Sequence, residues 1–197
     1  STLMENPKLN WIAVSCEDPE ISRHFQSLGY GIPIYSSMEQ MFEKHPEIDA
    51  VILASENSKH YQEVLTSCQY GKHILSMKIP TFNNREYDHM ITAVEEAGII
   101  CQVELELHYN PAIKRMRELI ENGTIGDLIS VNATNITLSP VWAFPWQGVP
   151  ELSYGEEIPL KAEDSRFRGG ALADHPHIFD LLRWIAKDDY KYVYSEV

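Results

Sequence analysis

The chain has 197 residues, 44% of them hydrophobic, so it can bury at least one core and is not expected to be disordered. Its 29 acidic and 16 basic residues give a formal net charge of −13, which argues against binding nucleic acid or an anionic membrane. We expect no membrane span and no signal peptide. The three cysteines lack disulfide or zinc-site spacing, so we expect a cytoplasmic protein without a metal site.

Short apolar runs alternate with helical segments in the first half of the chain. Strands are predicted at residues 10–15, 48–54, 73–77 and 99–103, and helices at a start on Asp18 and near 37–46, 59–70 and 83–97. Strands and helices that alternate in this way form parallel βαβ units. The first half is therefore predicted to be an α/β domain with a doubly wound parallel sheet.

The pattern changes after Gly98. An amphipathic helix is predicted from Asn110 to Gly123, then an alternating strand over 127–137. A long segment at 139–168 is rich in Pro, Trp and Glu, and precedes a helix through Trp184 and a strand from 190. This half suggests a second sheet, which is antiparallel. We expect the chain to be an internal portion of a longer protein.

Lys78 ends one of the predicted parallel strands, at the edge of the sheet where α/β proteins bind ligands. Three further segments carry polar residues at comparable places. Together with the segment around Lys78 they span Asp49–His60, Tyr70–Ile79, Asn110–Gly126 and Gly169–Asp180. As a set, these segments resemble the motifs of the Gfo/Idh/MocA oxidoreductases, over nearly the whole chain.

The resemblance implies a Rossmann-type dinucleotide-binding domain over residues 1–105, without its first strand and Gly-rich loop. Residues 106–197 would begin the C-terminal α/β domain, which binds substrate and forms oligomers. The resemblance implies that this is an α+β domain with a large open, mainly antiparallel sheet. Members of this family transfer a hydride between NAD or NADP and a sugar, cyclitol or related polyol. We therefore expect a small-molecule polyol or sugar substrate, and a homo-oligomer, a dimer or tetramer, formed through the C-terminal sheet.

The resemblance places the catalytic lysine at Lys78 and an acid/base pair at Asp174 and His177. Hydride transfer from a carbinol requires removal of the hydroxyl proton and favours a positive charge near the developing alkoxide. Lys78 supplies the charge, His177 takes the proton, and Asp174 orients the substrate or the imidazole. Because the Asp174-to-His177 spacing is one residue shorter than in the family, His175 is an alternative to His177. Without the resemblance, this segment equally fits a helix cap with two exposed histidines.

Other residues are expected to line the site. The predicted cofactor-binding residues are Cys16, Glu17, Ser55, Asn57, His60, Met77 and Glu106. The predicted substrate-binding residues are Lys78, His108, Tyr109, Trp146, Asp174 and His175. Asn57 and His60 also fit a helix cap and a solvated first turn, and Tyr109 also fits a packing role. Segment 139–168 is expected to border the substrate pocket and to touch a partner subunit, with an acidic loop as the alternative.

Several positions depart from the family pattern. No Gly-rich phosphate loop is present, and Gly29 and Gly31 follow a helix rather than a strand. Cys16 stands in place of the usual aspartate, which leaves NAD versus NADP open. Met77 replaces a glutamate and Ile79 replaces a proline on either side of Lys78. Two functions are therefore considered: an NAD(P)-dependent oxidoreductase, and a non-catalytic dinucleotide- or sugar-sensing regulator of the same fold.

Overall fold

The computed structural model describes residues 6–81, 83–134 and 176–194. Strands and helices alternate along these ranges. They are β1 (Val14–Ser15), α1 (Pro19–Ser27), β2 (Ile34–Tyr35), α2 (Met38–Lys44), β3 (Ala50–Leu53), α3 (Asn57–Gln69), β4 (His73–Ser76), α4 (Asn84–Ala97), β5 (Cys101–Val103), a 3₁₀ helix (Glu106–Tyr109), α5 (Pro111–Glu121) and α6 (Pro176–Ala186).

All strand pairs among the described residues are parallel. β1 pairs with β2 in a small sheet, and β3, β4 and β5 form a second sheet in that order. The register of the second sheet aligns Leu53 with Ser76 and Ser76 with Val103, so its strands end at the same level. The predicted parallel α/β architecture is confirmed.

Short polar side chains determine where the helices begin. Asp18 accepts hydrogen bonds from the N–H groups of Glu20 and Ile21 at 2.7 and 3.1 Å, and Pro19 occupies the first turn of α1. These two N–H groups hold the pKa of the Asp18 carboxyl below its usual value. Gly98 ends α4 with φ of 63°, a left-handed conformation that favours glycine.

One apolar core lies between the larger sheet and helices α2, α3 and α4. Its buried members are Met41, Phe42, Ile48, Val51, Leu53, Val64, Ile74 and Met90. Burying a side chain of this size contributes about 1.5–3 kcal/mol. The Lys72 ammonium is also buried and donates to the carbonyl of Pro46 at 2.8 Å, so its charge is hydrogen-bonded.

The strands differ from the predictions in detail. β1 covers only two residues of the predicted 10–15 strand, and β2, which is equally short, was not predicted. The strand β3 forms within the predicted range 48–54. It buries Val51 and Leu53 but leaves Ile52 46% exposed. Its side chains therefore alternate between a covered face and an open one.

The second half contains the predicted helix α5, but the strand predicted over 127–137 is not formed in its described part, 127–134. The residues from 190 to 194 form no strand either. A strand needs a hydrogen-bonded neighbour, and no described residue pairs with this stretch, in which Ile129 is 97% exposed. Helices that fit a membrane span by length and apolarity are absent from the described ranges.

Candidate active site

The carboxyl ends of β3, β4 and β5 form one continuous edge. The N–H of Met77 donates to the carbonyl of Leu53 at 2.9 Å, and the N–H of Glu104 donates to that of Ser76 at 2.8 Å. The residues that follow each strand are therefore held side by side. Ligands of open parallel sheets bind at this kind of edge.

Lys78 lies in the turn that leaves β4 at this edge. Its side chain is half-buried, and the peptide bond between Lys78 and Ile79 is cis. Met77, just before it, is partly exposed at the same edge. The structure thus places Lys78 and Met77 where ligands bind in this class of sheet, while their chemical roles stay predictions.

Helix α6 brings His177 to the residues that follow β5. The Nδ1 atom of His177 lies 3.1 Å from Oε2 of Glu106, and only 16% of the histidine side chain is exposed. The contact has the distance of an ion pair but not the direction of a hydrogen bond. Glu106, predicted as a cofactor ligand, is therefore adjacent to the predicted acid/base histidine.

A second carboxyl group, which the sequence analysis did not identify, accompanies Glu106. Burial raises the pKa of the Glu104 carboxyl, and the charge of Glu106 and a hydrogen bond with it raise that pKa further. Glu104 and Glu106 therefore form an interacting pair of carboxyl groups. Their positions, two residues apart just beyond β5, are the signal in the sequence that points to such a pair.

His108 and Asp180 form a hydrogen-bonded pair between the 3₁₀ helix and α6. The His108 ring stacks on Trp184 with a centroid distance of 4.5 Å, and the Arg117 guanidinium lies 3.9 Å from the centre of the same indole. His108, predicted to bind substrate, thus holds α6 in place. Asp180 ends the last motif segment but was given no role from the sequence.

Tyr109 is more than half exposed beside this cluster. Its hydroxyl accepts a hydrogen bond from the Gln102 side chain at 2.9 Å, and the Lys114 ammonium lies 5.2 Å from the ring centre. The ring is therefore anchored at its hydroxyl and leaves one face to solvent. Its predicted contact with substrate stays a prediction.

Ser55 follows β3 at a partly buried position, and Asn57 is the first residue of α3. The Ser55 hydroxyl donates to Glu63 Oε2 at 2.6 Å, and Asn57 is buried in the first turn of α3. Burial raises the pKa of the Glu63 carboxyl, and the Ser55 hydrogen bond and the charge of His60 offset part of that effect. Glu63 was not identified from the sequence, since nothing there shows that its carboxyl points inward.

His60 differs from both expectations. Its side chain is 0% exposed, with Nδ1 at 2.7 Å from the carbonyl oxygen of Ile79 and Nε2 at 3.1 Å from that of Ser55. The ring is neither solvated nor open to a ligand, because both nitrogens already face protein carbonyls. His60 therefore joins the turn after β3 to the turn that carries Lys78.

Cys16 and Glu17 follow β1, next to the start of α3. The Glu17 carboxylate lies 3.2 Å from the Lys59 ammonium and remains largely exposed. Burial opposes the charged form of Lys59, but the Glu17 hydrogen bond and charge prevail and raise its pKa. The Cys16 thiol is directed to the carbonyl of Asp18 at 3.6 Å. An exposed carboxylate thus stands at the end of β1.

Three predicted site residues, Trp146, Asp174 and His175, lie outside the described residues, as does segment 139–168. Within the described ranges, no group of His, Cys, Asp or Glu side chains is arranged to hold a metal ion. The candidate residues that the structure describes at this sheet edge include Lys78, Glu104, Glu106 and His177.

The family model described as "Oxidoreductase family, NAD-binding Rossmann fold" (GFO_IDH_MocA) matches residues 1–105, and the chain belongs to this family. It is 25% identical to the myo-inositol 2-dehydrogenase of Thermotoga maritima, over 82% of this chain and 43% of that protein. It is 26% identical to the 1,5-anhydro-D-fructose reductase of Ensifer adhaerens, over 73% of this chain and 39% of that one.

The fold is similar to the crystal structure of a putative dehydrogenase from Bordetella bronchiseptica RB50. The TM-score is 0.75 at 25% identity, and the match covers 94% of this chain and 45% of the other. The chain thus spans less than half the length of these relatives. The first half of the chain has the Rossmann-type fold that is characteristic of this family.

Proposed function

We propose that the protein is an NAD(P)-dependent oxidoreductase that transfers a hydride between the nicotinamide and a hydroxyl or carbonyl group of a sugar, cyclitol or related polyol. The observation that carries this proposal is the arrangement at the sheet edge. A lysine after β4 and a carboxyl pair after β5 share that edge, and α6 adds a histidine to it. Family membership supports the same chemistry.

The proposed roles follow from charge and position. The Lys78 ammonium stabilises negative charge on the substrate oxygen, and the His177 imidazole accepts the hydroxyl proton at Nε2. Because Glu106 lies at Nδ1, its carboxylate fixes the orientation of the ring and stabilises the imidazolium that forms. Asp174 is proposed to orient the substrate or the same ring.

The described residues suit the two ends of a dinucleotide. The exposed Glu17 carboxylate after β1 can accept hydrogen bonds from ribose hydroxyls, and Met77 offers an apolar surface at the edge where the nicotinamide is expected. When bound, the nicotinamide supplies or accepts the hydride. Ser55, Asn57 and Cys16 would contribute backbone and side-chain surface between these ends.

The substrate and assembly are proposed from the relatives. The names of two of them specify a cyclitol dehydrogenase and an anhydrosugar reductase, so we infer a small polyhydroxylated substrate. His108, Tyr109, Trp146 and His175 are proposed around it, and residues 106–197 as the start of a substrate-binding domain with an antiparallel sheet. A cytoplasmic homo-oligomer assembled through that domain is the corresponding proposal.

The experiment combines binding and turnover in the intact protein. Fluorescence titration with NADH and NADPH measures cofactor affinity, and absorbance of the nicotinamide measures turnover on a panel of polyols. Lys78→Ala is expected to abolish turnover while cofactor affinity stays within about tenfold, because the charge acts mainly on the transition state. Lys78→Arg is also expected to lose most turnover, since the guanidinium keeps the charge but is larger and planar and cannot take the position of the ammonium.

Lys44→Ala, which removes an exposed lysine of α2, is the matched control and should leave both quantities unchanged. Full turnover in Lys78→Ala contradicts the catalytic role proposed for Lys78, and a wild type that turns over no polyol contradicts the oxidoreductase assignment. Cofactor binding without turnover on any polyol favours the second candidate, a dinucleotide-sensing regulator. The replacement of the family's glutamate and proline by Met77 and Ile79 is the observation that keeps this candidate in view.

A further inference from the structure

His60 is the one histidine that is fully buried among the described residues. It lies in the first turn of α3, and its ring reaches past Ser55 to the turn after β4. Nδ1 is 2.7 Å from the carbonyl oxygen of Ile79, the residue bonded directly to Lys78. The ring therefore contacts the backbone that carries the proposed catalytic lysine.

Both partners of the ring are carbonyl oxygens, which accept hydrogen bonds and cannot donate them. Each contact is a hydrogen bond only if the nitrogen concerned carries a proton. The shorter contact, at Nδ1, requires a proton on that atom. The longer one, at Nε2, is also satisfied when the ring is the imidazolium.

A carboxyl group lies near the ring. Glu63 follows His60 by three residues on α3, so both side chains lie on one face of the helix. The Glu63 carboxylate accepts from the Ser55 hydroxyl at 2.6 Å, and the charges of His60 and Glu63 interact. Ser55 thus contacts both members, through its carbonyl and through its hydroxyl. The remaining charged groups near Glu63 are Lys59 and Glu17.

We propose that His60 is a positioning residue for Lys78: its Nδ1–H donates to the Ile79 carbonyl and fixes the turn from which the lysine reaches the substrate. The Nε2 contact, at 3.1 Å from the Ser55 carbonyl oxygen, places the ring against the turn after β3. This inference rests on the proposed function, and it assigns the ring a role through Lys78 rather than in direct contact with a cofactor.

Two amide substitutions separate the hydrogen bonds. The amide nitrogen of asparagine can replace Nδ1, and that of glutamine can replace Nε2. His60→Asn therefore retains the bond to Ile79, and His60→Gln retains the bond to Ser55. Each variant loses one buried hydrogen bond, so the two should lose similar amounts of thermal stability.

Turnover should distinguish the variants, because a small displacement of a catalytic group can lower the rate by about 100-fold. His60→Asn is expected to keep kcat within about tenfold of the wild type, and His60→Gln to lose about 100-fold, with cofactor affinity unchanged in both. His89→Gln, which changes an exposed histidine of α4, is the matched control. Equal losses of kcat in the two variants, or a more active His60→Gln, overturn the proposal.

Hydrogen exchange gives a readout that needs no turnover. Amides in residues 77–81 should exchange faster in His60→Gln than in His60→Asn, and those in residues 55–57 should show the reverse order. Identical exchange in both variants overturns the inference. If the two variants show the expected order of amide exchange but the wild type oxidises no polyol, the proposed function fails. The role of His60 in fixing the turn of Lys78 then still holds.

The wild-type protein offers a test that does not depend on folding of a variant. Selective ¹⁵N labelling of histidine rings reports which ring nitrogens carry protons, and His60 is recognised by its slow solvent exchange. A protonated Nδ1 is the expected result. A His60 ring that carries its proton on Nε2 alone has no donor for Ile79, and that result overturns the proposal.

Discussion

The two halves of the described structure are stabilised by different interactions. From Met41 to Met90, buried aliphatic and aromatic side chains form a continuous core beneath the larger sheet. From residue 104 onwards, α6 buries Leu181 and Ile185. Polar and aromatic contacts are added to this burial: His177 with Glu106, His108 with Asp180, and Trp184 under Arg117. We infer that the core of the first half holds the sheet edge in place. The polar contacts of α6 then determine whether His177 lies at that edge.

The largest expected effect concerns the residue that α6 contributes. His177→Ala should lower kcat by about 100- to 10,000-fold, the usual contribution of a general acid/base. His175→Ala is the matched neighbour and should lose far less. Steady-state kinetics of the two variants measure the ranking. The reverse order would show that His175 holds the catalytic position and that the contact between His177 and Glu106 is structural.

The apolar half is tested by removing the buried phenyl ring of its core. Phe42 is 2% exposed and lies 5.1 Å from the Tyr70 ring between centroids, so Phe42→Ala leaves a cavity that its neighbours cannot fill. We expect a loss of about 3–5 kcal/mol in the free energy of unfolding. Ile91→Ala, at a partly exposed position on α4, is the control in chemical denaturation. A loss below about 1 kcal/mol in Phe42→Ala would show that this core is loosely packed.

The polar half is tested at the His108–Asp180 pair. Asp180→Ala removes a charge-assisted hydrogen bond and should cost about 1.5–3 kcal/mol. Hydrogen exchange should then rise in residues 176–186 while residues 48–76 stay protected, because only α6 loses its attachment. A double-mutant cycle with His108→Ala measures the coupling, expected at about 0.5–3 kcal/mol.

The control for that cycle is Asp189→Ala, which breaks the exposed ion pair with Arg183 and should cost less than about 1 kcal/mol. If exchange in Asp180→Ala rises equally in both halves, the two regions unfold as one unit. The two regions would then differ in the kind of contacts they contain but not in their free energies of unfolding.

Much of the first half was predictable because local signals agree with the fold. The apolar run before Ser55 forms β3, and the Asp18-Pro19 and Asn110-Pro111 pairs begin α1 and α5 as expected. The strand predicted over 127–137 failed in its described part, because alternation of apolar residues indicates a strand only where a neighbouring strand supplies hydrogen bonds.

The site was less predictable because its contacts join distant residues. His108 and Asp180 are 72 positions apart, and only the folded chain pairs them. For His60, the sequence indicated the helix but not the direction of the ring, so the two weighed alternatives, a cofactor ligand and a solvated turn, both missed its buried position. The carboxyl pair of Glu104 and Glu106 likewise depends on the end of β5.

A pH-dependent effect is expected from the buried carboxyl of the first half. Burial raises the pKa of Glu63 in the folded state, so the folded state holds this proton more tightly than the unfolded chain. The associated stability is fully present below the unfolded pKa, about 4.3, and is lost as the pH rises through the folded pKa.

Glu63→Gln should remove the contribution of this carboxyl to the change of the unfolding free energy with pH. For one proton that contribution is at most about 1.4 kcal/mol per pH unit. Unfolding free energies measured from about pH 4 to about pH 7 give the comparison with the wild type. Glu95→Gln, at an exposed position on α4, should keep the wild-type slope. If the unfolding free energy of Glu63→Gln depends on pH as that of the wild type does, water reaches the Glu63 carboxyl in the folded state.

The smallest effect is expected at the junction between the two halves. The Asn110 side chain accepts a hydrogen bond from the N–H of Ala112 at 2.9 Å and so caps α5 where it leaves the 3₁₀ helix. Asn110→Ala should cost about 0.5–1 kcal/mol, because an exposed cap is partly replaced by water, and Asn110→Asp should retain most of that stability. Denaturation measures both, and exchange in residues 111–114 locates the change. Since α5 also supplies Arg117 to the Trp184 ring, faster exchange that extends from α5 into α6 would link the helix cap to the polar attachment of His177. Exchange confined to the first turn of α5 would instead show that the attachment of α6 does not depend on this cap.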